Sequence, residues 1–396
     1  MNKSILIITI ILSCVVLSLF AVKTFAPKEE VILDQTNSTF LVKGDVKVKK
    51  AKNPAEWQKM DTSTVLEKGD IVETSEGSSA DFIIGANTEK AVKVEEKSHV
   101  EFQGINPARL SLSKGKVRVA LKKLESGSSF TIKTPTAICG ARGTAWMQEV
   151  EADKTKVCVF ESNIYVRGLD ASGKPNTKEY VTGEGVQRTL ERGKVISSSQ
   201  AISENDLRDW EYWSKNITFL REGKILVDDF NRKDNYNNLN GPMGSWNIFY
   251  SDPNQICKDE FTDLERSGNS GYGLKLTYDV DSPYSAYNGF FTTLMGIDIS
   301  AYKYLIFSVK GDKKAGFTET INIELKNKGQ VGRGMVKGIT DEWKKMVVPL
   351  SDFVGINDFK SMKEFVIVFS DINVSKKEGI IYIDDIYFAK DAAGKN

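Results

Sequence analysis

Short alternating strands separated by turn residues run from residue 39 to residue 199, and this pattern limits the fold more than any other feature of the chain. Apolar residues recur at every second position, at Val117, Val119 and Leu121 and again at Phe130 and Ile132. A period of two is typical of strands that bury one face, whereas helices repeat every three to four residues. The sequence therefore predicts an all-β fold here.

A helix is predicted after this first β region. Ser203 is followed three positions later by the acidic residue Asp206, which is typical of a helix N-cap. Apolar residues then recur at steps of three and four: Leu207, Trp210, Trp213, Ile217 and Leu220. We expect an amphipathic helical connector over residues 203–222, with Trp210 and Trp213 packed on the first β region.

A second series of short strands occupies residues 225–390. It begins with ILVDDF and closes with IIYIDDIYF, and glycine- and aspartate-bearing loops separate the strands between them. Regular short strands without an intervening long helix are typical of a β-sandwich or jelly roll rather than a parallel sheet. A chain of 396 residues is long enough for two domains. We therefore expect the second domain to be a β-sandwich jelly roll.

The N-terminal run over residues 4–22 carries no charge and is long enough to form a membrane helix. Lys3 precedes the run, and Lys23 and Lys28 after it are followed by Glu29 and Glu30, so the charge bias weakly favours an N-terminus in the cytoplasm and the rest of the chain outside. We expect residues 1–26 to be a signal anchor or signal peptide. Cleavage after Ala26 and lipid attachment at Cys14 are the alternatives.

The composition excludes several classes of function. Lys and Arg number 54 against 53 Asp and Glu, and no dense basic run is present, so we expect no nucleic-acid partner. His99 is the only histidine and lies in the polar context EEKSHVEF, which argues against Ser-His-Asp triads, Cys-His dyads and most histidine metal sites. We therefore expect the protein not to be an enzyme.

Three cysteines follow the N-terminal run: Cys139, Cys158 and Cys257. In an oxidising compartment Cys139 and Cys158 could form a disulfide bond, because they lie in the same predicted domain. Three buried free thiols are the alternative.

The segment KTPTAICGARGTAW, residues 133–146, places one arginine among small and apolar residues. Pro135 biases Thr134 to an extended conformation, and Gly143 allows a tight turn beside Arg142. An arginine donates up to five hydrogen bonds, enough to hold several loop carbonyl groups. We expect structural roles for these four residues and for Thr144. A contact between Arg142 and a ligand or partner is the alternative.

Residues 133–146 resemble the FecR-type extracytoplasmic domain, whose signature contains TP and RGT. Two further segments carry the same resemblance: LEKGDIVETSEGSSADFII and LSLSKGKVRVAL. The resemblance covers residues 37–200 and implies a sensor or interaction domain of the cell envelope. Well-known members control a sigma factor through a folded cytoplasmic region. Only three residues precede the apolar run here, so we expect this chain not to act on a sigma factor by itself.

Four segments of the second β region carry another resemblance: DDF (228–230), GYGLKL (271–276), WKKMVVPLSDF (343–353) and YIDDI (382–386). They resemble family 11-type carbohydrate-binding modules and the wider group of galactose-binding-like jelly rolls. The resemblance covers residues 225–390. It implies a polysaccharide or cell-wall glycan as the partner of this domain.

Sugar recognition requires flat apolar surfaces and planar polar groups. The candidate ligand-binding residues lie in loop-like or strand-edge contexts: Trp246, Tyr250, Tyr284, Tyr287 and Asn288. Packing without ligand contact is the alternative for the aromatic residues. Jelly rolls of this class often hold a calcium ion, and the resemblance implies one structural calcium at Asp229, Asp384 and Asp385, because the first and last strands commonly pair.

These features together predict a non-catalytic envelope protein with a FecR-like domain and a glycan-binding-like domain on the periplasmic or extracytoplasmic side. We expect it to be membrane-anchored or exported. The alternative function is protein–protein interaction or assembly at the envelope, with no sugar ligand and an envelope protein as partner. A glycoside hydrolase is a further alternative, because paired carboxylates are its minimal requirement.

Overall fold

The computed structural model describes residues 38–84, 89–105, 107–122, 129–141, 143–194, 197–248 and 255–392. These residues form β-strands and one α-helix, which confirms the predicted all-β fold. No helix within these ranges is long and apolar enough to cross a bilayer. The predicted membrane segment, residues 4–22, lies outside them.

Sixteen of the described strands precede the helix: β1 Ser38–Lys43, β2 Val46–Lys49, β3 Trp57–Lys59, β4 Ile71–Thr74, β5 Ser79–Ile84, β6 Lys90–Val94, β7 His99–Ile105, β8 Ala108–Leu121, β9 Phe130–Lys133, β10 Ala137–Ala141, β11 Ala145–Glu151, β12 Lys154–Glu161, β13 Asn163–Gly168, β14 Tyr180–Gly183, β15 Val186–Glu191 and β16 Gln200–Ala201. They join in one branched sheet with a main path β14-β13-β10-β9-β8-β11-β12-β15-β16. Strands β8 and β9 pair in parallel, and their neighbours pair antiparallel.

Strand β8 connects the two halves of this sheet. Its residues 108–114 pair with β7 and β9, and residues 115–121 pair with β6 and β11. Gly115 lies where the strands paired with β8 change from β7 and β9 to β6 and β11. Its φ is 86°, and a Cβ atom there would collide with Ser98. Glycine adopts this conformation without steric cost. It therefore allows one long strand to serve both halves of the sheet.

Helix α1 spans Glu204–Arg221, where the sequence predicts it. The Ser203 hydroxyl oxygen accepts a hydrogen bond from the backbone N–H of Asp206 at 3.2 Å, so Ser203 is the N-cap. The apolar residues of the helix that are buried follow the predicted stripe: Trp213, Ile217 and Leu220. The helix therefore has the amphipathic character that the sequence indicates.

Eleven described strands follow the helix: β17 Lys224–Asp228, β18 Met243–Trp246, β19 Cys257–Thr262, β20 Gly273–Asp279, β21 Tyr287–Ile297, β22 Tyr304–Gly311, β23 Thr320–Lys326, β24 Val331–Lys337, β25 Lys344–Pro349, β26 Met362–Ser370 and β27 Glu378–Ala389. One sheet has the order β19-β20-β27-β22-β25, with β17 also paired to β27. The other has the order β18-β21-β26-β23-β24.

The inner faces of these two sheets form an aromatic core. Tyr278 of one sheet stacks on Phe369 of the other, with ring centroids 4.1 Å apart. Phe307 and Phe365 also meet across the two sheets, at 6.0 Å. Aromatic pairs of this kind add to the free energy gained from burying apolar area. The arrangement is the predicted β-sandwich.

Helix α1 packs against both β regions. Trp210 stacks on Phe160 of β12, with ring centroids 4.8 Å apart and planes within 4° of parallel. Phe219, near the other end of the helix, contacts Tyr387 of β27 at 6.0 Å. Buried apolar residues of both regions belong to one continuous cluster that includes Trp213. The helix is thus part of the core between the two regions as well as a connector.

The three cysteines after the N-terminal run are free and buried. Cys139 lies in the apolar cluster inside the first β region, whereas Cys158 lies in the cluster that reaches the helix. Burial raises the pKa of the Cys158 thiol to about 12 and raises the pKa of Cys139 and Cys257 further. Of the two alternatives left open by the sequence, the structure therefore shows free thiols.

We expect these three thiols to be inert towards iodoacetamide in the native protein near pH 8 and to react once the chain is unfolded. A thiol whose pKa lies far above the solution pH forms almost no thiolate, and burial also blocks access to the reagent. Labelling of a Cys14→Ser variant followed by peptide mass spectrometry measures each site. A peptide pair joined by a Cys139–Cys158 disulfide in the unreduced digest would contradict the expectation.

Candidate functional site

The five-stranded sheet of the sandwich turns one face away from the core, and the strand sequences determine which residues lie there. In β23 the apolar residues Ile321, Ile323 and Leu325 are buried. The intervening residues Asn322, Glu324 and Lys326 are half-buried on the opposite face, because successive side chains of a strand alternate. The outer face therefore has polar side chains on an apolar base.

Two adjoining grooves of about 550 and 410 Å³ lie on this outer face. They share Tyr287, Glu324 and Val368. The larger groove extends over β24 to Arg333 and Met335, and the smaller one extends to aromatic residues at the other side of the sheet. Together they form a continuous surface across the strands, which we name the sheet groove.

Trp246 and Tyr287 form the aromatic side of the sheet groove. Their rings meet edge to face, with centroids 5.9 Å apart, and Tyr287 is 45% exposed. Gly289 lies opposite Trp246 in the β18–β21 register, and a Cβ atom on it would lie 3.1 Å from the indole ring. The absence of a side chain at Gly289 therefore lets the tryptophan lie close over strand β21.

Charged side chains form the other part of the sheet groove. Glu324 forms an ion pair with Arg333, whose Nε lies 3.2 Å from its carboxylate, and the Lys326 ammonium group lies 3.6 Å from Glu324 and 3.3 Å from Glu364. Glu324 and Lys326 are half-buried, whereas the Arg333 side chain is exposed. A groove with aromatic faces on one side and fixed hydrogen-bonding groups on the other can bind both faces and hydroxyl groups of a sugar ring.

The predicted ligand-binding residues have different positions in the structure. Trp246 and Tyr287 both line the sheet groove. Tyr284 is 59% exposed just before β21 and is not among the residues that line the groove. Asn288 is buried, and its amide donates to the carbonyl oxygen of Asp279 at 2.7 Å, which gives it a structural position. Tyr250 lies outside the described residues.

Several groove residues were not predicted from the sequence, including Asn322, Glu324, Arg333 and Phe291. The alternation in INIELK contains a signal, because it places Asn322 and Glu324 on the face opposite three apolar residues. Strand order determines the rest, since β23 lies between β26 and β24 in the sheet.

Helix α1 brings a cation to the predicted calcium ligands. Lys215 donates a hydrogen bond to the Asp229 carboxylate, which is buried. Burial opposes the ionisation of Asp229, but the hydrogen bond and charge of Lys215 outweigh it and lower the pKa of this carboxyl group. The ammonium group of Lys215 is therefore the cation that neutralises Asp229 in this structure.

Asp384 and Asp385 belong to the same group of carboxylates. Burial, together with repulsion from Asp385, raises the pKa of Asp384 to about 7. Burial and repulsion from Asp229 also raise the pKa of Asp385. In the described part of the chain, no group of three or more His, Cys, Asp and Glu side chains has an arrangement that could hold a metal ion. A calcium ion here would therefore require the carboxylate side chains to rearrange as well as Lys215 to move.

The segment around residues 134–144 has a hydrogen-bonded structure. Thr134 Oγ1 accepts the backbone N–H of Ala137 at 3.0 Å and lies 2.8 Å from the hydroxyl of Thr155. Thr144 donates a hydrogen bond to the Glu161 carbonyl oxygen across the β11–β12 pair. Both threonines are buried.

An arginine not predicted from the sequence contacts the Pro135 turn. Arg192 donates to the Pro135 carbonyl oxygen at 2.9 Å. Gly143 has a φ of 155°, which L-residues rarely adopt. Arg142 lies outside the described residues, so its structural role as a donor to loop carbonyl groups stays a prediction.

Two parts of the chain match two different protein families. Residues 70–165 match the FecR protein family, and residues 245–390 match carbohydrate binding domain 30. These matches confirm both resemblances seen in the sequence, although the matching carbohydrate-binding family is 30 and the resemblance was to family 11. No curated protein sequence matches the chain.

Several solved structures are similar to parts of the chain. The family 11 carbohydrate-binding module of the cellulase Lic26A-Cel5E from Clostridium thermocellum is 16% identical over 44% of this chain and 98% of its own, with a TM-score of 0.34. The family 30 module of Cel9D-Cel44B from the same organism is 18% identical over 39% and 92%, with a TM-score of 0.29. A proposed anti-sigma factor from Parabacteroides distasonis is 10% identical over 40% and 68%, with a TM-score of 0.28.

Proposed function

We propose that this protein binds a glycan chain in the sheet groove and performs no catalysis. The observation that carries the proposal is the continuous groove across the outer face of the five-stranded sheet, with Trp246 and Tyr287 on one side and Glu324 and Arg333 on the other. Aromatic rings provide flat apolar surfaces for the C–H faces of sugar rings, and fixed charged groups bind hydroxyl groups. The match of residues 245–390 to a carbohydrate-binding family supports it.

We propose that the glycan-binding part is joined to a sensor or interaction part. Residues 37–200 would form the FecR-like domain, residues 203–222 the connector and residues 225–390 the glycan-binding domain. The FecR match at residues 70–165 supports this arrangement, and neither matching family is an enzyme family. The protein would hold or sense glycan outside the cytoplasmic membrane, with residues 1–26 as its signal anchor.

We also propose that Asp229, Asp384 and Asp385 can hold one calcium ion in a structural role. Calcium prefers carboxylate oxygens, and a divalent cation would offset the burial and the mutual repulsion that raise the pKa of Asp384 and Asp385. Lys215 forms an ion pair with Asp229, which is one of these three carboxylates. Calcium and the lysine therefore compete for one position.

Tyr287→Ala and Trp246→Ala should each weaken glycan binding by roughly tenfold, because each removes an aromatic face that contributes about 1 kcal/mol or more when a ring stacks on it. A glycan array of plant and bacterial cell-wall polysaccharides, probed with the full chain, identifies the ligand. Isothermal titration then gives the dissociation constants of the variants.

Tyr180→Ala is the matched control, because Tyr180 is a half-buried tyrosine of β14 in the first β region. It should bind glycan as the wild type does. If the folded wild-type protein binds no saccharide on the array, the glycan proposal is wrong and the envelope interaction function is favoured.

Calcium should raise the melting temperature of a Lys215→Met variant more than that of the wild type, because the variant leaves the three carboxylates without a competing cation. Differential scanning fluorimetry with added calcium chloride or EDTA measures the shift. Lys275→Met, which breaks the surface ion pair with Glu260, is the control and should respond as the wild type does. Equal melting temperatures with and without calcium in all three proteins would contradict the calcium proposal.

The native protein should be found in the membrane fraction with residues 1–26 attached, because an uncharged run of this length is stable in a bilayer. Fractionation of expressing cells and intact-mass spectrometry measure both properties. An N-terminus at Pro27 would show a cleaved export signal, and a lipid-modified Cys14 would show a lipoprotein. Recovery of the unprocessed chain in the cytosol would contradict the envelope location.

A further inference from the structure

A second cavity, of about 340 Å³, lies where three parts of the chain meet. Strands β1, β5, β6 and β8 of the first β region form one wall, and α1 forms another. The third wall comes from residues 232–240, which follow β17. We name this space the junction cavity. It is separate from the sheet groove and shares no lining residue with it.

Arg118 provides an unused hydrogen-bond donor in the junction cavity. Its side chain is only 2% exposed, although its position in β8 is on the polar side of the alternation. Its Nε donates to Glu95, and its Nη2 donates to Asp209 of α1 at 3.2 Å. Its Nη1 has no hydrogen-bond partner among the described residues. A charged group with a buried, unused donor is costly unless a polar partner occupies the space.

Asn238 and Asn216 provide unused acceptors in the same cavity. The side-chain nitrogen of Asn238 donates to the Asp229 carboxylate at 3.2 Å. The side-chain nitrogen of Asn216 donates to the backbone carbonyl oxygen of Asn238 at 2.6 Å. These two bonds fix which side of each amide carries the oxygen. Both Oδ1 atoms are buried and lack a donor within the described ranges. A molecule that both accepts and donates hydrogen bonds would satisfy the unused groups of Arg118, Asn216 and Asn238.

The charges that line the junction cavity balance. Its basic residues are Lys43, Lys93, Arg118 and Arg232. Its acidic residues are Asp81, Glu95, Glu96 and Asp209. Four positive and four negative side chains give no net charge that would select an anion or a cation. A neutral occupant fits this lining better than an ion does.

Aromatic side chains complete the lining on the side of α1. Tyr212 lies under the Arg232 guanidinium, which is 5.5 Å from the centre of its ring, and Trp213 is buried beside it. A neutral molecule with several hydroxyl groups satisfies all of these features, because a hydroxyl group both donates and accepts and because sugar C–H groups pack on aromatic rings.

We propose that the junction cavity is a binding site for a small neutral polyhydroxylated molecule of monosaccharide size. On binding, small rotations of Arg118, Asn216 and Asn238 turn their buried Nη1 and Oδ1 atoms to the ligand, which accepts a hydrogen bond from Nη1 and donates to the two Oδ1 atoms. Because its contacts come from the first β region, the helix and the loop after β17, the bound ligand stabilises the association of the two β regions. This site does not depend on the glycan proposal for the sheet groove.

Saturation-transfer NMR with the full chain tests the site, with D-glucose, D-galactose, D-mannose and N-acetyl-D-glucosamine as neutral probes and D-glucuronate as the charged one. We expect saturation transfer to at least one neutral sugar, a melting temperature that rises with its concentration, and weaker binding of D-glucuronate. Tyr212→Ala should raise the dissociation constant by roughly tenfold. Asn216→Leu, which removes an acceptor and keeps a similar volume, should do the same if the tyrosine variant does not fold.

The two proposed sites serve as controls for one another. Tyr287→Ala should leave monosaccharide binding in the junction cavity unchanged, and Tyr212→Ala should leave polysaccharide binding in the sheet groove unchanged. The proposal is overturned if none of the four neutral sugars shows saturation transfer at millimolar concentration. It is also overturned if Tyr287→Ala abolishes the signal, or if folded Tyr212→Ala and Asn216→Leu both bind as the wild type does.

Discussion

Two charge pairs, each between a buried group and an exposed one, link helix α1 to the β regions on either side of it. Asp209 of the helix meets Arg118 of β8, and Lys215 of the helix meets Asp229 after β17. A buried charge that loses its partner is strongly destabilising, whereas a hydrophobic contact tolerates small shifts. The aromatic stack of Trp210 on Phe160 contributes apolar area, but the charge pairs specify the position of the helix along both surfaces.

This constraint explains where prediction from the sequence succeeds and where it fails. Period-two alternation predicts the strands, and the cap and apolar stripe predict α1, because these signals are local. The same alternation indicates that Arg118, between Val117 and Val119, faces solvent. It is buried because α1 covers that face of the sheet, and Arg118 and Asp209 are 91 residues apart in the chain. A contact of that range cannot be predicted from a local pattern.

The candidate residues illustrate the same difference. Tyr287 and Asn288 are neighbours in a strand, so alternation requires that they lie on opposite faces; the exposure of Tyr287 and the burial of Asn288 follow from this rule. Both were predicted to bind ligand, and the rule could have separated them. Glu324 and Arg333 meet only because β23 and β24 pair in one particular register, which the sequence does not specify.

The carboxylates near Lys215 connect the chemistry of the second β region to the docking of the helix. One ammonium group compensates Asp229, while burial, together with repulsion from a neighbouring carboxylate, keeps the pKa of Asp384 and of Asp385 raised. A divalent cation would balance them better, but it would displace the Lys215 side chain and remove one of the two charge pairs that position α1. The same helix lines the junction cavity. If a cation replaced Lys215 and shifted the helix, it would also alter the wall of that cavity, and the proposed ion and the proposed cavity ligand would then be thermodynamically linked.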